Sequence, residues 1–490
     1  MPEHSSLRRD QASPWTRRHF LQAALAASAA SPLISCSDLG LDSKEEKPLF
    51  DGPTIDEDGF IDFNARYYDA ALDPVTKLPH NSIRDGVLSG ETDPIAIAYR
   101  LQYLVTQAVH AATINTMLDH LLGAQIDARP PRNYRNMLPR LAFKQDGTGI
   151  EPATQAYSFT ENALLSSRVA MAAQAFKGTG IEDKALTFLD KQKAGYNRVF
   201  AQADSGFLPV FGHAGLFGVD PEGINLLFGG YYGAVAFVLS YFIGGTTSIA
   251  DPAVGTNSWQ AMIDAQNTYA GMHEASTKAA VTIRTPLARN GGGHQFFHAL
   301  LAVAPDALTP SMSGALYNAL FSYLDAAVYD RVPGIYSAAP NARGFLYDNG
   351  LNRLTARQRS HGSQERIVTA DALAAAMRLF PESSDERLIL RGWIGLFASV
   401  SGMAGTHGYY SGMTKQGEPI LAMFARQNGA MILYKSDAWR FLDAFLQERG
   451  RPTMRELFGR IVLTYDGAPI QRVDSMLPLP PRQERLFTAR

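Results

Sequence analysis

From Leu226 to Gly245 the chain carries no charged side chain, a run about as long as the ~20 residues a bilayer-spanning helix needs. Its interrupting glycines and its tyrosines fit the innermost helix of a large core better than a lipid span. The neighbouring sequence points the same way. From Asp93 onward, apolar residues recur at helical spacing with little of the alternation that marks strands. Asp93-Pro94 opens the first helix, with proline at its favoured first position, and the pattern continues through Leu101, Leu104, Val105 and Leu118 to Leu122. Further helices are predicted over Thr160–Phe176, Glu182–Phe200, Gly230–Phe242, Ser258–Ala280, Gln295–Val303, Pro310–Tyr329, Thr369–Leu379, Glu386–Val400, Pro419–Tyr434, Ala438–Leu446 and Met454–Leu463. So many helices in one uninterrupted stretch predict an all-α toroid of paired helices, the inner ones more apolar than the outer, with long loops forming a cleft at one end.

The N-terminus carries an address. Thr16-Arg17-Arg18-His19-Phe20-Leu21-Gln22 has the form of a twin-arginine export signal, followed by an alanine-rich run from Ala23 to Ala30. That run ends at Leu33-Ile34-Ser35-Cys36, which reads as a lipobox, and Cys36 is the only cysteine in the chain. Cleavage before Cys36 makes the sole thiol a lipid attachment point and leaves 490 − 35 = 455 residues with no cysteine for disulfides. The expected organisation is therefore a signal peptide over 1–35, a flexible tether over 36–54, the toroid over 55–470 and a C-terminal tail over 471–490. Segment 55–90, punctuated by Asp-Gly, Asp-Pro and Leu-Pro pairs, is expected to wrap the domain as irregular structure. The expected location is the periplasmic face or outer membrane, lipid-anchored, with Ser37 after the cysteine favouring the outer membrane. A formal charge of −2 removes the electrostatic case for a nucleic-acid partner.

One turn concentrates chemistry. Gly291-Gly292-Gly293-His294-Gln295-Phe296-Phe297-His298 feeds a glycine run into an apolar helix and sets two histidines on one face. An i, i+4 histidine pair has a geometry zinc uses, yet Gln295 stands where a zinc protease needs glutamate, and no nearby carboxylate offers a third ligand. No metal and no cofactor is assigned; hydrogen bonding to a polar ligand and a buried structural pair remain as readings. Neither a serine-nucleophile elbow nor a nucleotide-binding fingerprint is present.

Separated stretches resemble one family, the glucoamylase-like proteins that include endo-β-1,2-glucanases. Gly291 to His298 resembles the family's Leu-Phe-Ile-His-Gln-Tyr-Ser-His motif, keeping His294, Gln295 and His298. Ser158-Phe159-Thr160-Glu161-Asn162-Ala163-Leu164-Leu165 is similar to a helix start that carries aspartate at the position of Glu161, and is preceded by an aromatic-rich hairpin at Tyr134 to Lys144. Lys415-Gln416-Gly417-Glu418-Pro419-Ile420 with Met423 resembles an Asp-Gln-Gly-Pro-Ile segment, and Gly230-Tyr231-Tyr232-Gly233-Ala234 resembles a glycine-tyrosine motif. The resemblance implies an (α/α)6 toroid acting on a glucan-type oligo- or polysaccharide. Two departures stand out. The family's glutamate before the alanine is Gly233 here, and its Ile-Glu-Asn is Phe424-Ala425-Arg426.

Glycosidic bonds are hydrolysed between two carboxyl groups, one protonated and one ionised. Glu161 is the first candidate; at a helix N-terminus the dipole favours its ionised form, so a base or sugar-binding role is expected of it, beside a capping role with Ser158. Glu222, with Asp204 and Asp220 in the same loop, and Glu365, beside Gln364, are the other carboxylate candidates. His294, Gln295, His298, Tyr231, Tyr232, Tyr409 and Gln416 are the candidate sugar-binding residues, the tyrosines as stacking platforms or as core. The function expected is an envelope-anchored glycoside hydrolase. The alternatives are a glycan-binding or scaffold lipoprotein that lost its acid at Gly233, and an anchored subunit of a polysaccharide-handling complex.

Overall fold

The computed structural model describes residues 52–107, 110–125, 136–154, 156–201, 211–213, 227–229, 231–243, 252–268, 271–288, 292–337 and 367–488. The fold is an (α/α)6 toroid. Its inner layer is a closed ring: α2 (Pro94–Gln107), α4 (Phe159–Ala175), α6 (Tyr232–Tyr241), α8 (Gly293–Phe297, continued by a 3-10 turn over His298–Ala302), α10 (Asp371–Ala376) and α12 (Ala425–Leu433). Each packs on the next, and α12 packs back on α2. The alternate helices are α3 (Ala111–Ala124), α5 (Gly180–Ala201), α7 (Pro252–Gln266), α9 (Pro310–Asp330), α11 (Asp385–Ala398) and α13 (Trp439–Glu448); α1 (Glu57–Ala70) precedes the ring and α14 (Met454–Phe458) follows it.

Sequence composition sorts the layers. In α6 every residue from Tyr232 to Ser240 is buried, as an apolar helix with neighbours on all sides must be. In α4 the same holds from Phe159 to Ala173 except at Glu161. On α3, by contrast, only Ile114, Met117, Leu118 and Leu121 are buried, one stripe of an amphipathic outer helix. Within the uncharged stretch, Tyr232–Tyr241 is thus a ring helix, and among the described residues no helix is long and apolar enough to cross a membrane.

Four expectations are corrected. The first helical pattern is two helices, α2 and α3, because the chain must turn from the inner layer to the outer one after Gln107. Segment 55–90 is not wholly irregular: Asp56 accepts the amides of Asp58 and Gly59 at 3.3 and 3.1 Å, so an Asp-Gly pair read as a turn is the first turn of α1. Helix α7 ends at Gln266, and Met272–Ser276 pairs with Thr282–Pro286 as an antiparallel hairpin where a continuous helix to Ala280 was expected. The β-branched Thr282, Ile283 and Thr285 favour the strand, and Asp325 of α9 accepts the amides of Lys278 and Ala279 at the hairpin's tip. Finally, Ala422–Phe424 is a strand paired with Ser82–Arg84, so the helix expected from Pro419 starts at Ala425.

The ring closes tightly where α12 meets α2. A Cβ on Gly429 would lie 2.7 Å from atoms of the Tyr99 ring, closer than side chains approach. Gly429→Ala is expected to destabilise the domain by about 1–3 kcal/mol through overpacking; a chemical-denaturation midpoint equal to that of the parent protein would contradict this.

Candidate functional site

The first turns of the inner helices supply one polar side chain each. Asp93 caps α2, its Oδ1 accepting the Ala96 amide at 2.8 Å. Glu161 is the third residue of α4, whose cap is the Ser158 hydroxyl, accepting the Glu161 amide at 3.3 Å. Tyr231 precedes α6 in the left-handed conformation, φ 39° and ψ 44°, unusual for an aromatic residue and a form of strain that clusters at functional sites. His294 is the second residue of α8; its amide and its Nδ1 both lie 3.1 Å from the Ser337 hydroxyl. Asp371 opens α10, and Arg426 is the second residue of α12.

These groups act on one another. Burial, and then the Asp93 carboxylate, push the Glu161 carboxyl up to about 8, against the opposing pull of Arg140 and Arg426. The expected ionised glutamate is therefore corrected: helix-end charge favours the anion, but enclosure and a neighbouring carboxylate outweigh it, and Glu161 holds its proton at neutral pH. Protein surrounds the group, yet its side chain is partly exposed. Burial pushes the Tyr231 hydroxyl up to about 12, with Arg426 opposing. Burial works against the charge of Arg426 as well, but Tyr231, Asp371 and Tyr99 together raise it above the usual value for arginine.

Beneath lies a buried row of polar contacts. His298 Nε2 is 2.9 Å from Asp371 Oδ2, and His298 Nδ1 is 3.1 Å from the Tyr99 hydroxyl. The direction of the Tyr99–His298 hydrogen bond follows the imidazole tautomer. Burial would raise Asp371, but the His298 hydrogen bond and charge, with Thr369 and Arg426, lower it below the usual aspartate value. His294 is driven well below the usual histidine value by burial first, then by Arg426 and His298, so it is a neutral imidazole. The rings of His294 and His298 lie 6.0 Å apart. Each histidine holds a buried hydroxyl through Nδ1, His294 that of Ser337 and His298 that of Tyr99; among the described residues no three histidine, cysteine or acidic side chains gather as metal ligands.

Other candidates lie elsewhere. Tyr232 is core: its hydroxyl donates to the Phe296 carbonyl at 2.6 Å and its ring packs on Phe228 and Phe458. Gln295 is buried beside His294. Tyr409 stacks on Phe60 of α1 and lines a recess of ≈ 370 Å³ with Asp56 and Ser399. Gln416 is exposed on a turn in which the Gly417 amide donates to Thr414. Glu222, Glu365 and Cys36, with Asp204, Asp220 and Gln364, fall outside the described residues. At Gly233 a Cβ would come 3.1 Å from the Ala299 carbonyl oxygen, so the position where the resemblance places a glutamate is closely packed. Sequence reasoning did not single out Asp93, Tyr99 or Asp371 as site residues. The available signals were the Asp-Pro helix start and an aspartate opening the apolar run from Ala372.

No protein-family profile matches the chain, and no curated protein matches it. Solved structures do. An endo-β-1,2-glucanase from Talaromyces funiculosus in complex with sophorose superposes with a TM-score of 0.66 at 11% identity, over 88% of this chain and 95% of that one. An endo-β-1,2-glucanase from Chitinophaga pinensis with sophorotriose and glucose gives 0.54 at 12%, over 82% and 98%. A glucoamylase-like protein from Bacteroides fragilis gives 0.55 at 15%, over 85% and 99%. These are the kinds of protein that the motif resemblance named, and the chain shares their fold.

Glu161 also makes stability depend on pH. Its carboxyl titrates near 8 in the fold against an ordinary 4.5, so between these values the folded state holds more protons than the unfolded state. Stability from this group is therefore present below about 4.5 and lost as pH rises toward 8. Glu161→Gln, which cannot ionise, is expected to gain stability relative to the parent protein as pH rises through that window. Parallel unfolding midpoints for the two proteins from pH 4 to pH 9 would contradict the assignment.

Proposed function

We propose that this protein is a glycoside hydrolase acting on a glucan-type oligo- or polysaccharide, with Glu161 as its proton donor. The carrying observation is a carboxyl group that keeps its proton at neutral pH beside a second carboxylate, at the N-terminal end of the inner ring. Hydrolysis needs that pairing. In this reading the Glu161 proton passes to the departing glycosidic oxygen, while Asp93 takes a proton from the attacking water. The water oxygen bonds to the anomeric carbon and a new reducing end is released. Asp93 Oδ1 is committed to the Ala96 amide, so the base chemistry falls to Oδ2. Tyr231, His294 and Arg426 surround the pair as donors for sugar hydroxyls. The fold's likeness to two endo-β-1,2-glucanases supports a glucan as substrate.

A second reading has its own observation. Gly233 replaces the glutamate that the resemblance implies, and its close packing on Ala299 leaves no room for a larger side chain without a shift. This favours a glycan-binding protein without hydrolysis. One assay separates the two: reducing-end release from a panel of glucans, β-1,2-linked chains included, alongside binding. For the enzyme, Glu161→Gln is expected to lower turnover by about 10²–10⁴-fold, the usual contribution of a general acid, and Asp93→Asn to do likewise. Binding by the parent protein with no release from any glucan would favour the second reading. Release undiminished in Glu161→Gln would remove Glu161 from the chemistry.

We also propose that the protein is held at the cell envelope through a lipid on Cys36, following the twin-arginine signal and lipobox. Cys36→Ala is expected to move it from the membrane fraction to the soluble fraction. An unchanged distribution between the two fractions would contradict the anchor.

A further inference from the structure

A charge taken out of water destabilises a fold unless an opposite charge meets it. Arg168 is such a charge. It lies on α4 two turns beyond Glu161 and is 1% exposed. Burial lowers its guanidinium to about 10, so it still carries its charge at neutral pH. Among the described residues no carboxylate acts on it; the groups that do are Tyr99 and Tyr231, whose hydroxyls burial keeps neutral.

Its hydrogen bonds leave a remainder. Nε donates to Gln102 Oε1 at 3.0 Å and Nη1 to the Ser167 hydroxyl at 2.8 Å, both neutral groups, while Nη2 is buried with no partner. The neighbouring polar groups are already engaged: the Gln102 amide donates to the Leu301 carbonyl at 2.6 Å, the Ser167 hydroxyl to the Leu164 carbonyl at 2.7 Å, and the Tyr99 hydroxyl meets His298 Nδ1 at 3.1 Å. The Tyr231 hydroxyl is buried as well, and the one side chain that bonds to it, Arg426, can only donate, so its own proton also lacks an acceptor. One full positive charge and two buried donors are left over.

Three kinds of guest could take these donors. A water molecule would accept from them and leave the charge unmet. A carboxylate or phosphate would meet the charge but bring several oxygens, each needing further donors once enclosed. A monatomic anion meets the charge and imposes no directed lone pairs of its own.

We propose that Arg168 holds a halide ion, chloride in ordinary salt, enclosed within the inner ring with the Tyr231 hydroxyl as a second donor. The inference is independent of the hydrolase reading and applies equally to a glycan-binding protein.

The test compares thermal unfolding midpoints of the whole chain in sodium chloride, sodium bromide and sodium gluconate at equal ionic strength. An ion bound only by the folded state raises the midpoint until its site is full. Chloride and bromide are expected to give a saturable rise of about 1–2 °C over gluconate. Arg168→Met, which keeps the reach of the side chain without its charge, is expected to lose that rise. Crystals of the parent protein soaked in sodium bromide supply a readout that does not depend on the variant folding: anomalous scattering is expected beside Arg168 Nη2. Water at that position without an anomalous signal would overturn the inference, as would equal midpoints in the three salts or an Arg168→Met variant that gains as much from chloride as the parent.

Discussion

The closure of six inner helices into a ring fixes where chemistry can occur in this molecule. Every helix begins with amide groups that lack intrahelical acceptors, and its first turn carries partial positive charge. Residues suited to such positions are short, polar or acidic, and here they are Asp93, Ser158 with Glu161, and Asp371. The electrostatic coupling of Glu161 to Asp93 and Arg426, and of Arg426 to Asp371, shows that these starts meet at one end. A polar site thus follows from the topology before any catalytic requirement is imposed.

The buried layer beneath then sets the character of the site. Asp371 lies against one edge of His298 and the Tyr99 hydroxyl against the other, so the imidazole is held in place between them. Tyr99 is itself wedged against the backbone of α12 at Gly429, and Arg168 reaches the 298–302 turn through Gln102, whose amide donates to the Leu301 carbonyl at 2.6 Å. Groups arranged this way do not need to reorganise when a ligand arrives. The neutral His294 and the protonated Glu161 are consequences of the same enclosure, since a low-dielectric surrounding disfavours whichever form is charged.

Much of the ring was legible in sequence because burial on all sides leaves a plain record. The uncharged stretch ending near Ile243 and the Ala-rich α4 could hardly be anything but inner helices. Hidden were features decided by distant partners. The hairpin at Met272–Pro286 depends on Asp325, and the strand at Ala422–Phe424 on Ser82–Arg84, more than three hundred residues earlier. The site divides in the same way. Local patterning exposed Glu161 and the His294, His298 pair, each within one helical turn. The pairing of His298 with Asp371, the nearness of Asp93 to Glu161, and the place of Arg426 beside Tyr231 join segments that only the closed ring brings together.

Gly233 and Glu161 lie on neighbouring inner helices, α6 and α4. Without a side chain at Gly233, helix α6 approaches the 298–302 turn closely enough that an added Cβ would press on the Ala299 carbonyl. That approach anchors the segment carrying His298, and it closes the position from which the resemblance would have an acid act. Among the described residues the enclosed glutamate that keeps its proton is Glu161, on the neighbouring inner helix α4, where Asp93 raises its affinity for the proton. Burial, not chain position, makes a carboxyl an acid at neutral pH. In the proposed hydrolase reading the acid is therefore supplied by α4, where the carboxyl is enclosed and acted on by a second carboxylate.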